Sequence, residues 1–450
     1  MHADAITGQI ARAALALTPA AIPRPVIDKA RQLIGDMLMV AAAGQAQASS
    51  AAIIGALAPS QGRSRVWFGD RQRLCSAVDA VFINTLHAGA LDFDSLNGAV
   101  HADLVTLPAA WAGAEHHGRS PQALLTAFVI ASEVVSRLSR CALGVSKGWS
   151  GTSIYGGIGA ALAYGLLMGL DEQRLQHALG LATIQAAGTQ QANVEQTLAK
   201  RLQPAFAARN GVFAAQLAEV GASAPSQAVE GRFGLRALYQ PGDDQPLLAG
   251  WGHEWQLLDT AVKRFPVCAC SHAAIQALLD LQAQLGFSAE QAEEVVATIS
   301  PFMSRLVGGA FSPHGDLQVI AQFNLRYHLA SVLLRGPIRL EHLEPEALLD
   351  PRIQALVAKI HLKVDPDNHN ELAPARVCVG LTGGQRHEAL CTALPGSPQM
   401  PVSAQERLAK ARACAAFAKP VLSDERLARL LTAIDRFEEL PTLDALWSES

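Results

Sequence analysis

The sequence predicts a mainly α-helical protein with a smaller α+β part near its C-terminal end. Apolar residues recur at three- and four-residue spacing through the first half of the chain and again after Ser403. Short runs rich in β-branched residues follow one another between residues 295 and 392. The composition is 50% hydrophobic but only 5% aromatic, so small and aliphatic side chains must build the core, which favours closely packed helices.

Five amphipathic helices are predicted in the first half of the chain. Three of them begin at or near proline, which the first turn of a helix tolerates well. No alternation of strands and helices interrupts this stretch, so we expect a large all-helical domain. The predicted helices cover residues 22–43, 77–90, 121–143, 171–187 and 204–220.

The pattern changes after about residue 261. Strands are predicted at 295–299, 359–364, 376–381 and 387–392, and helices at 272–285 and 317–334. Helical spacing resumes at Ser403, and the simplest arrangement returns this tail to the first domain. We therefore expect an all-helical large domain of residues 1–262 and 400–450, with a smaller α+β domain of residues 263–399 inserted near the C-terminal end.

Charge and cysteine content exclude several classes of protein. The net charge of −4 and the absence of a dense Lys and Arg run predict no nucleic-acid partner. Seven cysteines at irregular spacing, with no CxxC pair, predict a reducing, cytoplasmic environment. Residues 149–170 carry no charge and approach the length of a membrane span, but their glycines and hydroxyl groups favour a buried helix. No membrane association is predicted.

One string could suggest a metal site. Cys268, Cys270 and His272 lie close together, yet a lone CxC with one nearby histidine lacks the second ligand cluster that structural metal sites use. We therefore predict no metal and no cofactor.

The stretch from Ala90 to Pro108 contains the most informative polar residues. It places Asp92 and Asp94 beside a helix end, and His101 just ahead of another apolar run. An acid and an imidazole on one loop suit proton-transfer chemistry. The other interpretation is a solvated loop that happens to be polar.

Five elements of this chain, taken in order, resemble those of the MmgE/PrpD family, which includes 2-methylcitrate dehydratase, cis-aconitate decarboxylase and iminodisuccinate epimerase. They span nearly the whole length, and any one alone would be weak. The resemblance implies a large helical domain with a smaller α+β domain, a site between the two, and a homodimer. The elements are HAGALDFDS at 87–95, His101 with Leu107 and Pro108, residues 148–161, KRLQP at 200–204, and KRFP at 263–266 followed by Ser271 and His272.

The resemblance also implies site residues. Asp92 corresponds to the family's active-site aspartate, His101 to its first histidine, and Lys200 and Lys263 to its two lysines, so these four are the predicted catalytic residues. Either lysine could instead be a surface cation, and His272 a core residue. The predicted substrate-binding residues are Arg201, Arg264, Ser150, Cys268, His272, Ser304 and Arg305.

Four positions depart from the family pattern. Leu96 stands where the family has threonine, Ser150 and Cys268 stand where it has histidine, and Ser304 falls near its tyrosine. Losing these polar groups puts the family's dehydratase and decarboxylase activities in doubt.

The predicted function is proton abstraction next to a carboxylate of a small polycarboxylate. Family frequency favours a lyase resembling 2-methylcitrate dehydratase, which is an argument by analogy. The alternatives are an epimerase of an iminodisuccinate-like acid, a decarboxylase of a cis-aconitate-like acid, and a family relative that binds its ligand without turning it over.

Overall fold

The chain begins as a bundle of helices. The structure is a computed structural model that describes residues 5–58, 60–69, 73–143 and 147–448. The bundle helices are α1 (Ile6–Ala16), α2 (Arg24–Gly44), α3 (Ala48–Gly55), α4 (Ala77–Gly89), α5 (Ala102–His117), α6 (Pro121–Arg140), α7 (Gly151–Met168), α8 (Glu172–Thr183), α9 (Gln191–Val194) and α10 (Ala199–Glu219).

Helix α7 lies at the centre of the bundle and packs against α5, α6, α8 and α10. Its contact with α10 is close, because a Cβ atom added at Gly211 would lie 2.3 Å from the carbonyl oxygen of Gly157. Any side chain at residue 211 would therefore push α10 outward. Helix α10 carries Lys200 in its first turn, so this glycine contact helps to position a predicted catalytic residue.

The mainly helical first part of the chain also contains two short strands that the sequence does not predict. Two short strands, β1 (Ser64–Arg65) and β2 (Leu74–Cys75), pair antiparallel between α3 and α4. Each strand has only two residues, which is too short for alternating hydrophobicity to reveal it.

The second half of the chain contains the α+β part. A four-stranded sheet has the order β4-β3-β5-β6, in which β3 pairs parallel with β4 and antiparallel with β5, and β6 pairs antiparallel with β5. This arrangement confirms the predicted fold class. The elements are α11 (Leu235–Leu238), α12 (His272–Leu285), β3 (Ala292–Ile299), α13 (Pro301–Val307), α14 (Leu317–Phe323), α15 (Leu325–Arg335), α16 (Pro345–Leu348), α17 (Pro351–Val357), β4 (Ile360–Val364), β5 (Ala375–Leu381), β6 (Arg386–Cys391), α18 (Ala404–Phe417) and α19 (Asp424–Ile434).

Two helix boundaries differ from the predicted ones. Helix α10 begins at Ala199 and contains Pro204, whereas the sequence predicts a start at Pro204. The single helix predicted over 317–334 is two helices, because Asn324 is extended and its side chain accepts a hydrogen bond from the backbone of Tyr327, which caps α15.

The C-terminal helices pack against α2, near the start of the chain. Helix α18 begins with a capping box, in which the Ser403 side chain and Glu406 exchange hydrogen bonds with each other's backbone. This packing agrees with the return of the tail to the helical bundle. The domain boundaries themselves stay predictions.

Two helices are apolar and long enough to cross a membrane by length and composition, namely Pro121–Arg140 and Gly151–Met168. The bent pair Arg24–Gly44 and Ala48–Gly55 would add a third if it formed one span. Within the described ranges, most of both single helices is buried inside the fold. The expectation of no membrane association stays a prediction.

Candidate active site

A cavity of about 350 Å³ lies between the helical bundle and the α+β part. Its walls come from the loop before α5, the starts of α7 and α10, residues 268–270, helix α13 and residues 371–372. Five of the residues that the sequence predicted to form the site line this cavity, namely Asp92, His101, Ser150, Lys200 and Cys268. The fold thus brings residues that lie up to 280 positions apart in the sequence together around one cavity.

The loop after α4 sets the position of Asp92. Helix α4 ends at Gly89, and Asp92 adopts a left-handed backbone conformation with φ +50°. Only one other non-glycine residue in the described part of the chain, Gln196, has a positive φ. Aspartate tolerates this region better than most residues, but the conformation still costs about 1 kcal/mol. It turns the Asp92 carboxylate toward two lysines.

Asp92 is held between Lys200 and Lys263. Lys200 Nζ donates to one carboxylate oxygen, and Lys263 Nζ donates to the other at 2.8 Å and to the Asp92 carbonyl oxygen at 2.7 Å. The Lys263 side chain is completely buried, whereas 18% of the Lys200 side chain is exposed. Lys200 therefore reaches the cavity, and Lys263 lies behind Asp92.

The two lysines keep the buried carboxylate ionised. Burial alone would raise the pKa of Asp92, but the charges of Lys200 and Lys263 lower it well below its usual range. Burial likewise opposes the charge of Lys263, yet the nearby Asp92 and Asp94 carboxylates raise the pKa of this lysine. The group therefore carries two positive charges and one negative charge.

His101 is paired with Asp94. Asp94 Oδ2 lies 2.6 Å from His101 Nδ1, and the Ser95 carbonyl oxygen lies 3.1 Å from the same nitrogen. Asp94 is fully buried, and burial would raise its pKa, but the charge and hydrogen bond of His101 lower that pKa below its usual value. His101 lines the cavity, and 18% of its side chain is exposed.

The backbone of His101 is also anchored. His101 is the residue that caps the N-terminus of α5, and its N–H donates to Thr152 Oγ1 at 3.0 Å. Thr152 lies in the first turn of α7 and lines the cavity. The sequence analysis missed Thr152, although this residue lies two positions after Ser150 in the family-like element at 148–161.

Cys268 and Cys270 meet at the cavity wall. The Cys268 backbone N–H donates to the Gln322 carbonyl oxygen at 3.0 Å, and the Gln322 side chain donates to the Ala90 carbonyl oxygen at 2.9 Å. The hydrogen bond from Cys270 lowers the pKa of the Cys268 thiol. Cys268 can thus contact a ligand, but no third ligand accompanies the pair, since the described residues contain no group of three His, Cys, Asp or Glu side chains placed to hold a metal ion.

Arg201 and Arg264, two of the predicted substrate-binding residues, do not line the cavity. Arg201 is buried on another side of α10, where its guanidinium donates to Ser49 Oγ at 3.0 Å and to Gln318 Oε1 at 3.1 Å. Arg264 is partly exposed and is paired with Glu406.

Three further predicted residues also lie outside the cavity lining. His272 is fully buried, with its Nε2 3.1 Å from the Val267 carbonyl oxygen, and burial lowers its pKa to about 3. Ser304 lies in α13, where its carbonyl oxygen accepts the N–H of Gly308. The Arg305 guanidinium stacks 5.2 Å above the ring of Phe302, which does line the cavity.

Two contributors could not have been found from the sequence. Glu371, in a loop before β5, lines the cavity, and burial raises the pKa of its carboxyl group. Lys410 on α18 donates to the carbonyl oxygens of Phe93 and Lys263. Neither residue belongs to a local motif, so no signal along the chain points to it.

The arrangement can bind an anion and transfer a proton. Lys200 offers a positive charge in a half-buried cleft, where electrostatic interactions are stronger than in water. His101, held by a buried carboxylate, has the chemistry of a general acid or base. Both groups face the same cavity, so a small acid could contact both at once.

Comparison with known proteins identifies similar chains. Sequence models of the MmgE/PrpD N-terminal domain and C-terminal domain match residues 8–247 and 265–438. A cis-aconitate decarboxylase-like protein from Aspergillus oryzae is 26% identical over 95% of this chain and 94% of its own length. Cis-aconitate decarboxylase from Aspergillus terreus is 28% identical over 62% of this chain and 60% of its own length. The Homo sapiens cis-aconitate decarboxylase is 27% identical over 82% of this chain and 78% of its own.

Proposed function

The chain belongs to the MmgE/PrpD family, and from this premise we propose that it is a lyase that removes carbon dioxide from a small unsaturated polycarboxylic acid similar to cis-aconitate. The observation that carries this proposal is the pairing of His101 with buried Asp94 at a cavity that also presents Lys200. The names of the three relatives support the choice of acid.

The proposed reaction needs one proton donor. The bond between carbon and the departing carboxylate breaks, and its electron pair forms a new carbon–carbon double bond. The electron pair of the original double bond takes a proton from the His101 imidazolium at the carbon next to a remaining carboxylate. Carbon dioxide leaves, and His101 regains a proton from water, so atoms and charge balance.

The lysine group stabilises the developing negative charge. Lys200, Lys263 and Asp92 together carry a net charge of about +1, with Lys200 closest to the cavity. Charge that builds on a carboxylate held at Lys200 is stabilised by a cation that is already in place, so little reorganisation is needed during the reaction.

Decarboxylation asks for fewer proton-transfer groups than dehydration. Loss of water needs an acid at the leaving hydroxyl group in addition to a base at carbon. His101 is the one histidine among the described residues that line the cavity, and Ser150 and Cys268 stand where the family pattern has histidine. A substrate that is already unsaturated needs only one proton donor. Dehydration, favoured from the sequence by family frequency, becomes the alternative that the product assay tests.

The test is to incubate the protein with cis-aconitate, citrate and 2-methylcitrate separately in deuterated water and to follow each acid by NMR. We expect carbon dioxide only from cis-aconitate, and one deuterium in the product at the newly saturated carbon. His101→Ala should lower turnover by about a hundredfold or more. His253→Ala is the matched control, because His253 is exposed and lies outside the cavity lining.

Each other outcome assigns a different role. Water loss from a hydroxy acid without carbon dioxide would make the protein a dehydratase. Deuterium exchange next to a carboxylate without net product would favour an epimerase. Binding of all three acids with neither exchange nor product would identify a relative that binds without catalysis.

A further inference from the structure

One wall of the active-site cavity is apolar. Leu96, Ala269 and Leu372 line it, and they belong to one small cluster that also contains Ala261 and Leu394. Leu96 and Ala269 are buried against this cluster. The wall is thus continuous with packed protein interior, so it is a fixed surface.

Helix α13 extends the apolar wall. Phe302 and Leu306 lie four residues apart, which places them on the same face of the helix, and both line the cavity. Both are only partly buried, so they offer apolar surface that a ligand could cover. Covering such surface is favourable by about 25 cal/mol per Å².

The charges in the cavity match an acid with few carboxylates. Lys200 is the one lysine or arginine among the described residues that line it, and Asp92 offsets part of its charge. Glu371 lies beside Leu372 at the apolar wall, and its carboxyl group supplies no positive charge there. A ligand with its carboxylates at one end and an uncharged group at the other suits this distribution.

The volume leaves room beyond the acid. A cavity of about 350 Å³ holds on the order of a dozen water molecules at about 30 Å³ each. Covalently bonded atoms lie closer together than separate water molecules, so a tricarboxylic acid of about a dozen non-hydrogen atoms would fill only part of that space. The remaining space would be lined by the apolar wall.

Leu96 is held firmly at this wall. Its N–H donates to the Ala261 carbonyl oxygen at 3.1 Å, and its carbonyl oxygen accepts from the Ala261 N–H at 2.8 Å. This backbone pair fixes the Leu96 side chain only four residues after Asp92. Leu96 lines the cavity, so it presents an apolar side chain there.

We propose that this cavity recognises polycarboxylic acids that carry an alkyl substituent of several carbons, with the alkyl group against Leu96, Leu372, Phe302 and Leu306. The acid end rests on the proposed function, since it uses His101 and Lys200. The alkyl subsite adds the substrate class, and Leu96 is the residue that determines this specificity.

The test measures binding of saturated alkylsuccinates by calorimetry. These dicarboxylates range from methylsuccinate to hexylsuccinate, and they cannot lose carbon dioxide by the proposed route. We expect Kd to fall about threefold to fourfold for each added methylene over the first few carbons, the value of burying one CH₂ group. Leu96→Thr should flatten this dependence while leaving binding of succinate nearly unchanged.

Leu394→Thr is the matched control. Leu394 belongs to the same cluster but does not line the cavity, so its replacement lowers stability without touching the ligand. It should keep the full chain-length dependence. If Leu96→Thr does not fold, Leu306→Thr provides the same measurement, because Leu306 is partly exposed and its replacement costs less stability.

The outcomes separate this inference from the proposed function. A Kd that stays constant or rises with chain length overturns the alkyl subsite, even if cis-aconitate is decarboxylated. A Kd that falls with chain length, and no longer does so in Leu96→Thr, supports the subsite even if no substrate loses carbon dioxide. Equal flattening by Leu394→Thr would also overturn it, because the effect would then be one of packing.

Discussion

Asp94, not Asp92, is the carboxylate that holds His101. Asp94 Oδ2 lies 2.6 Å from His101 Nδ1, while the Asp92 carboxylate is bound by Lys200 and Lys263. Two aspartates separated by one residue therefore bind different side chains, one an imidazole and the other a pair of lysines. The left-handed backbone at Asp92 turns its side chain toward the lysines, and Asp94 is left to face the imidazole. The sequence predicts Asp92, and not Asp94, as a catalytic residue.

Asp94→Asn should lower kcat by about a hundredfold or more and change KM little, because the amide no longer stabilises a charged imidazole in the right orientation. Steady-state kinetics with the acid that loses carbon dioxide as substrate would measure both kcat and KM. Asp103→Asn is the control, since Asp103 is buried nearby and accepts from Ser95 Oγ at 2.7 Å without touching His101. Equal losses in both variants would mean that Asp94 only supports the loop.

The two lysines should respond differently to replacement by methionine. Lys200→Met should raise KM by about tenfold to a hundredfold, because a charged hydrogen bond contributes roughly 1.5–3 kcal/mol. Lys263→Met should instead destabilise the fold by about 3–5 kcal/mol, because it removes one partner of a buried ion pair. Kinetics and urea unfolding would separate the two effects.

Adding Asp92→Asn to Lys263→Met should restore part of the lost stability, since it removes a buried carboxylate that Lys200 alone would then have to hold. An unchanged urea midpoint in Lys263→Met would contradict the structural role of this lysine. An increase in KM without a loss of stability would instead assign Lys263, a predicted catalytic residue, a direct role at the substrate.

Lys410 should act as a positioning residue. Its Nζ donates to the carbonyl oxygens of Phe93 at 2.8 Å and Lys263 at 3.1 Å, and it pairs with Asp36 at 2.8 Å. Lys410→Met should lower kcat by about tenfold to a hundredfold with little change in KM, because small misplacements of reacting groups are costly. Lys410→Arg should recover part of kcat.

A matched control for Lys410 lies in the α+β part. Lys359 Nζ donates to the Ala292 carbonyl oxygen at 2.7 Å, far from the cavity lining. Lys359→Met should cost less stability than Lys410→Met, because Lys410 also pairs with the mostly buried Asp36 side chain, and it should leave kcat unchanged. A loss of kcat in both variants would show that Lys410 affects activity only through stability.

His272 should make the fold sensitive to acid. Burial lowers its pKa in the fold to about 3, so below its ordinary value of 6.5 the unfolded chain binds a proton that the folded chain does not. This histidine therefore costs up to about 1.4 kcal/mol of stability per pH unit as pH falls from 6.5, and nothing above pH 7. Urea unfolding of the protein and of His272→Asn at pH 7.5 and pH 5 would measure the difference.

Comparing the protein with His272→Asn separates the effect of His272 from that of groups that stabilise the fold as pH falls. Burial raises the pKa of Glu115 to about 7, which favours the fold as pH falls, but this effect is present in both proteins. The stability deficit of His272→Asn should therefore shrink between pH 7.5 and pH 5. A deficit that stays constant would mean that His272 is also protonated in the fold.

Most secondary structure could be predicted because its signals are local. Helical spacing and proline positions predicted α2, α4 and α6 to within a few residues, and β-branched runs predicted the strands of the sheet. The predictions erred where the signal was short or misleading. The two-residue strands β1 and β2 have too few residues to alternate, and Pro204 suggested a start for α10 that lies one turn too late.

By itself, the sequence determined the fold class and the family pattern, and it identified Asp92, His101 and Lys200 as candidate site residues. Each of these results depends on residues that lie near one another along the chain. Only the tertiary structure decided which groups meet. Asp92 and Lys263 are 171 residues apart, and Phe93 and Lys410 are 317 apart. Such contacts depend on how whole helices pack, and at His101 one backbone angle decided between two neighbouring carboxylates. The spacing of residues along the chain predicts neither the packing of the helices nor this backbone angle.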